Sequence, residues 1–511
     1  MPIGIQTFSK LIEQDYVYVD KTKYFFDFVK RGGYYFISRP RRFGKSLTIS
    51  TLEEIFIGNK KLFKGLWIYD KIDWSKHPVI KIDFNIITHS KGIEIFEESL
   101  RELLLEIGVK YEIKLLKTES KNMLKELTIK LSGNKKNVVL LIDEYDKPII
   151  DYMHKMEKAN ENKDFLSSFY EVIKGLDEHL KFVMLTGVSK FSKVSIFSKL
   201  NNLNDITFDK KYASLFGMTE IELYDNFAIH ISDTSKNMDL SICELKKNIK
   251  MWYNGYSWDG IEKVYNPFSI LKFFSSERFS NFWFDTGTPS FLIENMKKRK
   301  FELSDLEKIE VEEYVFNSYD LENLDTTCLL FQTGYFTITD QKLIRDNSIK
   351  YTLKIPNLEV KNSLFNCILG AYTNKNISKL KPPYLNMIDE LEEENVNNFI
   401  KLLSSSFASI PYSIYPDKEN FYHSVFYLMA VLLGAKIDAE VLTDKGRIDC
   451  VIDFDDKVYV IEFKLGSSTD AIKQIKERKY YQRYLNSNKK IILLGIGGFK
   501  EKKIEYLKEE I

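Results

Sequence analysis

The stretch YYFISRPRRFGKSLTISTLEEIF (34–56) joins a short apolar strand, a basic loop and a segment with helical spacing of apolar residues. Strand, loop, Gly-Lys-Ser and helix in this order form the layout of a phosphate-binding P-loop. The loop N–H groups and the amino end of the helix together bind an anion. We therefore predict that Gly44, Lys45 and Ser46 bind a nucleotide, with Lys45 on the β- and γ-phosphates and Ser46 on Mg²⁺.

The loop departs from the general P-loop pattern at its first position. A glycine is expected where this chain has Arg39, so Gly44 alone in the loop keeps ready access to positive φ. Three of the eleven arginines of the chain lie in this loop. Planar, bidentate contact with phosphate is the usual reason for arginine in place of lysine. We predict that Arg41 and Arg42 help to bind the nucleotide, with one of them on the γ-phosphate in cis or serving a neighbouring subunit.

A second segment, NVVLLIDEYDKPI (137–149), has the continuous apolar run of a strand buried on both faces of a parallel sheet. Its acids follow the strand, where α/β sheets bind ligands. We predict that Asp143 holds Mg²⁺ through water and that Glu144 orients the attacking water. VIKIDF (79–84) supplies another strand. A further apolar strand, KFVMLTGVSKFS (181–192), supplies candidate sensors of the γ-phosphate: Thr186, Ser189 and Lys190.

Near the C-terminus, AEVLTDKGRIDCVIDFDDKVYVIEFKLG (439–466) alternates like a β-meander. Asp449 begins one strand, while Glu462 and Lys464 lie two apart on the next and share a face. A helix (470–485) and a last strand (490–498) follow. This order and the Asp…Glu-x-Lys spacing are typical of PD-(D/E)XK nucleases. Asp449 and Glu462 supply the oxygen ligands that Mg²⁺ prefers, and Lys464 orients water or stabilises developing charge.

Three other residues are candidates for the same site. Glu419 and Glu440 are alternative further acids, and Gln474 matches a glutamine often found on the following helix of this nuclease class. Residues 473–490 carry seven basic residues and one acid, interleaved with tyrosines. Two interpretations of this segment stay open: contact with a nucleic-acid backbone and stacked bases, or a solvated helix face whose tyrosines pack on the sheet.

Between these two regions the sequence is less specific. WYNGYSW (252–258) places aromatics around an Asn-Gly turn, and core packing is the favoured interpretation. LLFQTGYFTITDQ (329–341) and IKYTLKIPN (349–357) predict helix, strand, loop and strand, compatible with a winged-helix module. The intervening loop is not basic enough to favour DNA contact, so packing between domains is the preferred interpretation.

Several segments carry a family resemblance. They are YVDKT (18–22), SRPRRFGKS (38–46), LLIDEYDKPI (140–149), TGVSKFSKVSIFSKLNNL (186–203), WYNGYSW (252–258), YNPFSIL (265–271), FQTGYFTI (331–338) and, near the C-terminus, GRIDCVID and VIEFKLG. Together they resemble the AAA-ATPase-like family of bacterial proteins, which typically carries a PD-(D/E)XK nuclease-like domain at its C-terminus. The family pattern itself has RPRRFGKS. The resemblance implies ATP binding and hydrolysis, and it raises the expectation of a homo-oligomer.

The predicted fold class is α/β, with three regions. These are an AAA-like P-loop NTPase domain with a parallel sheet (1–210), a helical lid and winged-helix-like region (211–390), and a restriction-endonuclease-like α/β domain (391–511). The net charge of +1 gives no global field toward nucleic acid or membrane. The longest apolar run, Val425 to Ala435, is too short to span a bilayer. Four cysteines without a CxxC pair and an N-terminus without an apolar signal core predict a cytoplasmic protein.

The expected function combines both sites: ATP and Mg²⁺ as cofactors, and cleavage of nucleic-acid phosphodiesters under ATP control, with DNA as the first candidate substrate. Two alternatives stay open. In one, the protein is an ATP-switched module that binds nucleic acid or protein through an inactive nuclease fold. In the other, the P-loop domain is a regulator with little turnover and the nuclease is the sole enzyme.

Overall fold

The computed structural model describes residues 1–133, 137–190, 202–283, 309–317, 325–344, 348–373, 386–408, 419–432, 437–443, 446–499 and 503–511. These residues fall into two compact units. Unit 1 comprises the described residues up to Lys361, and unit 2 those from Asn362 onward. Each predicted site lies within one unit.

Unit 1 contains a five-stranded parallel sheet. In chain order its strands are Gly33–Ser38 (β1), Val79–Asp83 (β2), Val138–Asp143 (β3), Leu180–Gly187 (β4) and Leu203–Asp205 (β5). They lie in the spatial order β2-β3-β4-β1-β5. The strand β3 is buried along its whole length, as its apolar run predicts. Because all five strands are parallel, the loop after β1 and the acids after β3 meet at one edge of the sheet.

Helices surround this sheet. Those of the described part of unit 1 before β5 are Phe8–Glu13 (α1), Thr22–Arg31 (α2), Lys45–Phe56 (α3), Ile93–Lys110 (α4), Ser120–Ser132 (α5), Lys147–Ile150 (α6) and Met156–Lys174 (α7). The strongly amphipathic α2 buries Phe25 and Phe28. Short 3₁₀ turns lie at Lys60–Phe63, Asp177–His179 and Lys210–Tyr212.

A helical region follows the sheet in unit 1. Its helices are Glu220–Asn226 (α8), Ala228–Asn237 (α9), Ile242–Tyr253 (α10) and Pro267–Ser276 (α11). Capping boxes begin α8 at Thr219 and α10 at Ser241, and Asn266 caps α11. The helices share one apolar core, against which Val17 and Val19 of the N-terminal segment also pack.

The remaining elements of unit 1 are a small antiparallel sheet and one helix. The sheet has the order β6-β8-β7, and its strands are Ile309–Glu312 (β6), Thr337–Leu343 (β7) and Ile349–Lys354 (β8). The helix Thr326–Gln332 (α12) precedes β7, and a 3₁₀ turn lies at Glu313–Asn317. The predicted order of helix, strand, loop and strand is therefore present. Within this region Tyr351 packs against Phe316, with ring centroids 5.3 Å apart.

Unit 2 is built on a second five-stranded sheet of order β13-β12-β11-β10-β9. Its strands are Ile437–Thr443 (β9), Gly446–Asp453 (β10), Lys457–Phe463 (β11), Lys490–Gly497 (β12) and Glu505–Glu510 (β13). Its helices are Leu358–Thr373 (α13, which begins in unit 1), Met387–Glu392 (α14), Val396–Ala408 (α15), Glu419–Leu432 (α16) and Ser468–Arg478 (α17). Neighbouring strands are antiparallel except β11 and β12, whose parallel pairing requires the crossover through α17.

Two features of unit 2 differ from prediction. The helix predicted over 470–485 ends at Arg478, because Lys479 takes a left-handed φ of 53° and a 3₁₀ turn follows at Tyr480–Tyr484. The edge strand β13 was not predicted. Its segment EYLKEE is mostly charged, which is common for an edge strand and gives little apolar signal.

Candidate active sites

The loop after β1 has the predicted P-loop layout. The strand ends at Ser38 and α3 begins at Lys45. Gly44 adopts φ 95°, a left-handed conformation that favours glycine. Arg42 has φ 71° without glycine's freedom, so the loop is strained there. The N–H groups of the first turn of α3 have no partner within the helix and are suited to an anion.

Lys45 lies at the centre of this site. Its ammonium donates to the carbonyl oxygens of Arg39 at 3.1 Å and Pro40 at 3.2 Å. It lies 3.2 Å from Glu144 Oε1, and its side chain is only 2% exposed. These contacts hold the ammonium at the carboxyl edge of the sheet. The structure thus brings together Lys45 and Glu144, the two residues predicted to act on the γ-phosphate and the attacking water.

Asp143 is buried behind the loop. The hydroxyl of Thr186 donates to Asp143 Oδ1 at 2.5 Å, and the Ser46 side chain also hydrogen-bonds to this carboxylate. Burial, with the nearby charge of Glu144, raises the pKa of Asp143. A buried carboxylate beside a serine hydroxyl is stabilised by a neighbouring hard cation, so Ser46 and Asp143 fit Mg²⁺.

A cavity of 610 Å³ lies over the loop. The predicted residues in its lining are Arg41, Arg42, Gly44, Lys45, Ser46 and Glu144. Among the polar lining residues that sequence reasoning missed are Asp83, Asn85 and Lys147. Asp83 ends β2, beside β3, and pairs in register with Asp143. The acid at the end of the predicted strand VIKIDF was therefore the available signal.

The three predicted sensors of the γ-phosphate, on β4 and just after it, each contact an acid of unit 1. Thr186 contacts the site through Asp143 and is not among the cavity-lining residues. The Ser189 hydroxyl donates to Asp146 at 2.5 Å. The Lys190 ammonium pairs with Asp205 at 3.1 Å. In this structure the three side chains hold neighbouring acids, and their role as sensors of the γ-phosphate stays a prediction.

Arg39 also has a role other than the one its position in the basic loop suggested. Its guanidinium is buried, donates to the carbonyl oxygen of Thr207 at 2.9 Å, and lies 4.1 Å from the ring centroid of Trp258. These contacts anchor the loop to the interior of unit 1. Arg39 therefore supports the loop from the interior at the position of the usual first glycine, and the loop arginines that line the cavity are Arg41 and Arg42.

Aromatic residues from the helical region support the loop. The aromatics of WYNGYSW are largely buried, as the core interpretation predicted, and Phe43 of the loop packs edge-on against Trp258 with centroids 5.3 Å apart. The guanidinium carbon of Arg42 lies 3.6 Å from the ring centroid of Phe268. The conformation of the loop thus depends on residues far along the chain.

In unit 2, the predicted nuclease residues converge. The Asp449 N–H donates to Glu462 Oε2 at 3.4 Å, and the Phe463 N–H donates to Asp449 Oδ2 at 2.8 Å. Lys464 Nζ lies 3.7 Å from Glu462 Oε1. The Gln474 amide donates to the same oxygen of Glu462. Two neighbouring strands and α17 therefore assemble the predicted set.

The chemistry of this cluster fits a hard divalent cation, because Asp449 and Glu462 offer carboxylate oxygens from adjacent strands. Among the side chains that the structure describes, no group of three or more His, Cys, Asp and Glu residues has ligating geometry. The side chains of Glu419 and Glu440 lie outside the described residues. Tyr480 is a further residue of this site that sequence reasoning did not predict. Its side chain is buried, and its hydroxyl hydrogen-bonds to Gln474.

The basic segment 473–490 is largely engaged within unit 2. Lys489 donates to Asp453 at 2.6 Å, and Lys490 donates to Glu394 at 2.6 Å. Tyr480, Tyr481 and Tyr484 all pack on the apolar core of the sheet. These contacts favour the second interpretation of the segment, in which its tyrosines pack on the sheet.

Comparison with known proteins identifies relatives of the chain and of the two regions that contain the sites. A model described as predicted AAA-ATPase matches residues 2–197, and a model of the PD-(D/E)XK nuclease superfamily matches residues 417–509. A protein of Azotobacter chroococcum mcd 1 named "Uncharacterized protein in vnfD 5'region" is 38% identical over 509 residues, which cover 97% of this chain and 96% of that protein. The chain belongs to the AAA-ATPase-like family.

Membership of the AAA-ATPase-like family confirms the resemblance drawn from the motifs, and the α/β fold class is confirmed as well. Among solved structures, Cdc6p from Pyrobaculum aerophilum matches at 9% identity with a TM-score of 0.23, over 70% of this chain and 93% of that chain. Among the helices in the described part of this AAA-ATPase-like chain, none combines the length and apolar character that a bilayer crossing requires.

Proposed function

We propose that this protein binds and hydrolyses ATP in unit 1 and cleaves nucleic-acid phosphodiesters in unit 2, with ATP controlling cleavage. One observation carries the proposal: in each unit a lysine lies beside a glutamate with an aspartate next to it, an arrangement suited to hydrolysis of a phosphoanhydride in unit 1 and of a phosphodiester in unit 2. The family models support the same pairing of domains.

In unit 1, ATP phosphates would lie on the N–H groups at the start of α3, with Arg41, Arg42 and Lys45 providing positive charge. Mg²⁺, held by Ser46 and by Asp143 through water, would neutralise charge on the phosphates. Glu144 would leave Lys45 when phosphate arrives, because the phosphate charge attracts the ammonium. The freed carboxylate would then orient the attacking water.

In unit 2, Asp449 and Glu462 would hold Mg²⁺, which activates water and polarises the scissile phosphate. Gln474 fixes the orientation of the Glu462 carboxylate through its amide. Lys464 lies beside Glu462 and would donate to the water or to the developing charge on the phosphate. Asp449 is held in turn by the Phe463 N–H, so the two carboxylates keep their relative positions.

The proposal of ATP control is motivated by the presence of both sites in one chain. The test is to incubate the protein with labelled duplex and single-stranded DNA and RNA in Mg²⁺, with and without ATP. We expect cleavage that Lys464→Ala abolishes and that ATP alters. A Lys45→Ala variant with unchanged cleavage at every ATP concentration would end the idea of ATP control.

The burial of Glu462, only 1% exposed, favours a second candidate function. A carboxylate withdrawn from solvent and held by Gln474 could serve only to stabilise the sheet. Unit 2 would then be an inactive nuclease fold that binds nucleic acid or protein in response to ATP. Mg²⁺ titration separates the candidates, because an active site should lose Mg²⁺ affinity on Asp449→Asn while an inactive fold should show no such change.

A further inference from the structure

The cavity over the P-loop is lined by an excess of positive charge. Its cationic side chains are Lys21, Arg41, Arg42, Lys45 and Lys147, and its acidic ones are Asp83 and Glu144. Lys21 is paired with Glu222 at 2.6 Å, away from the loop. Lys147 is the cation that neither the motif analysis nor the mechanism above has used.

Lys147 lies close to the proposed water-orienting group. It begins α6, three residues after Glu144, and its backbone N–H donates to the Glu144 carbonyl oxygen at 3.0 Å. Its side chain is 25% exposed and lines the same cavity as Lys45. Lys147 therefore shares a short segment and the same cavity with Glu144, the residue proposed to orient water for attack on the γ-phosphate.

A single carboxylate holds two of the lining cations. Asp151 Oδ2 lies 2.7 Å from Lys147 Nζ, and Asp151 Oδ1 lies 3.6 Å from a guanidinium nitrogen of Arg41. His89 Nε2 lies 3.8 Å from the same carboxylate, but burial lowers the pKa of His89, so the ring favours its neutral form. Asp151 itself is not among the cavity-lining residues, whereas both cations are. The two cations therefore reach the cavity, whereas the carboxylate that pairs with them does not line it.

We propose that Lys147 is a second phosphate-binding lysine of this ATP site, specific for the γ-phosphate, and that Asp151 is a positioning residue that holds Lys147 and Arg41 until that phosphate arrives. The inference rests on the proposed function of unit 1 and deepens it. A partly exposed ion pair contributes little to stability, so its exchange for contact with a polyphosphate is energetically accessible. ADP lacks the γ-phosphate and would leave the Lys147–Asp151 pair in place.

The test compares binding of two probes, the non-hydrolysable ATP analogue AMP-PNP and ADP, each with Mg²⁺, by calorimetry on the full chain. Lys147→Met should weaken AMP-PNP binding about tenfold and change ADP binding less than about twofold. Asp151→Asn should act in the opposite direction and tighten AMP-PNP binding about twofold to threefold, because both cations are released. Lys130→Met is the matched control, since Lys130 pairs with Glu126 at 2.6 Å with the same i,i+4 spacing but does not line the cavity.

The two variants are expected to change AMP-PNP affinity in opposite directions, which separates phosphate recognition from an effect on fold stability. If Lys147→Met and Asp151→Asn both weaken the two probes equally, the pair is structural and the proposal is wrong. The Asp151→Asn result decides alone if Lys147→Met does not fold: unchanged or weaker AMP-PNP binding overturns the proposal. Wild-type protein that binds neither probe, or whose binding survives Lys45→Ala, would instead refute the ATP site itself.

Discussion

The two candidate sites share a motif, a lysine beside a glutamate, but they are assembled in different ways. In unit 2, Glu462 and Lys464 lie on or just after one strand, and Asp449 comes from its neighbour in a short hairpin. In unit 1, Lys45 and Glu144 come from segments that are distant in the chain, and the parallel sheet brings them together. The unit 2 site therefore depends on local strand register, and the unit 1 site on long-range packing.

This difference has consequences for mutation. A local site tolerates changes outside its hairpin and helix, because strand pairing sets its geometry. A site built from distant segments is sensitive to residues that never contact the ligand. In unit 1, one such residue is Trp258, which lies behind Arg39 and does not line the cavity.

The largest effect should come from Lys464→Ala in unit 2. Loss of the ammonium beside Glu462 should lower phosphodiester cleavage about 10³-fold or more, because the charge developing on the phosphate loses the group proposed to stabilise it. AMP-PNP binding in unit 1 should be unchanged. Cleavage of labelled DNA and RNA gives the first measurement and calorimetry the second. Lys473→Ala is the control, since Lys473 is an exposed lysine paired with Glu477 on α17. Equal loss in both variants would contradict a specific role.

In unit 1, Glu144→Gln should lower ATP hydrolysis about 10²- to 10³-fold while AMP-PNP binding stays equal or tightens. The amide cannot accept a proton from water, and it no longer competes with phosphate for Lys45. Phosphate release and equilibrium binding measure the two effects separately. Glu53→Gln on α3 is a suitable control, because Glu53 pairs with Lys81 outside the cavity. Unaltered phosphate release would favour the alternative in which unit 1 is only a regulator.

The same contrast explains what the sequence could predict. In unit 2, strands β10 and β11, their turn and the shared face of Asp449 and Glu462 follow from period-2 alternation, and Gln474 was predicted from its match to the nuclease-class pattern. In unit 1, the loop and the acidic strand were predicted, because each is a continuous pattern.

Other features of unit 1 depend on which strands become neighbours, and no local pattern encodes that. Asp83 enters the site because β2 pairs with β3. Arg39 points inward because its guanidinium contacts the Trp258 ring and the Thr207 carbonyl oxygen there. Thr186 faces Asp143 because β4 lies beside β3.

A pH dependence should arise from Asp146, which follows the acidic strand of unit 1. Burial, with the nearby Glu144, raises the pKa of Asp146 to about 6, although it accepts from Val188 N–H and from the N–H and hydroxyl of Ser189. Because the folded-state pKa of Asp146 is raised, the protonated carboxyl group contributes its full stabilisation of the fold below about pH 4. This contribution is lost as pH rises through about 6. The loss should reach about 2–3 kcal/mol.

Denaturant unfolding of the wild type and Asp146→Asn from pH 4 to 7 measures this effect. The neutral amide cannot ionise, so the difference in free energy of unfolding between the two proteins should shift in favour of the variant as pH rises. Parallel curves across the whole range would mean that Asp146 ionises in the folded state as it does in the unfolded state.

The smallest effect tests long-range support of the P-loop. Gly334 has φ 91°, and a Cβ there would lie 2.8 Å from Cβ of Pro40 in the loop. Gly65 has a similar φ of 87° but no atom within 4 Å of such a Cβ. Both alanine variants carry the same backbone strain of about 1 kcal/mol. Gly334→Ala should cost about 1 kcal/mol more in unfolding free energy and should also weaken AMP-PNP binding, because Pro40 must move. If the two variants bind AMP-PNP equally, the loop conformation does not depend on this distant contact. The unit 1 site would then be no more sensitive to distant residues than the unit 2 site.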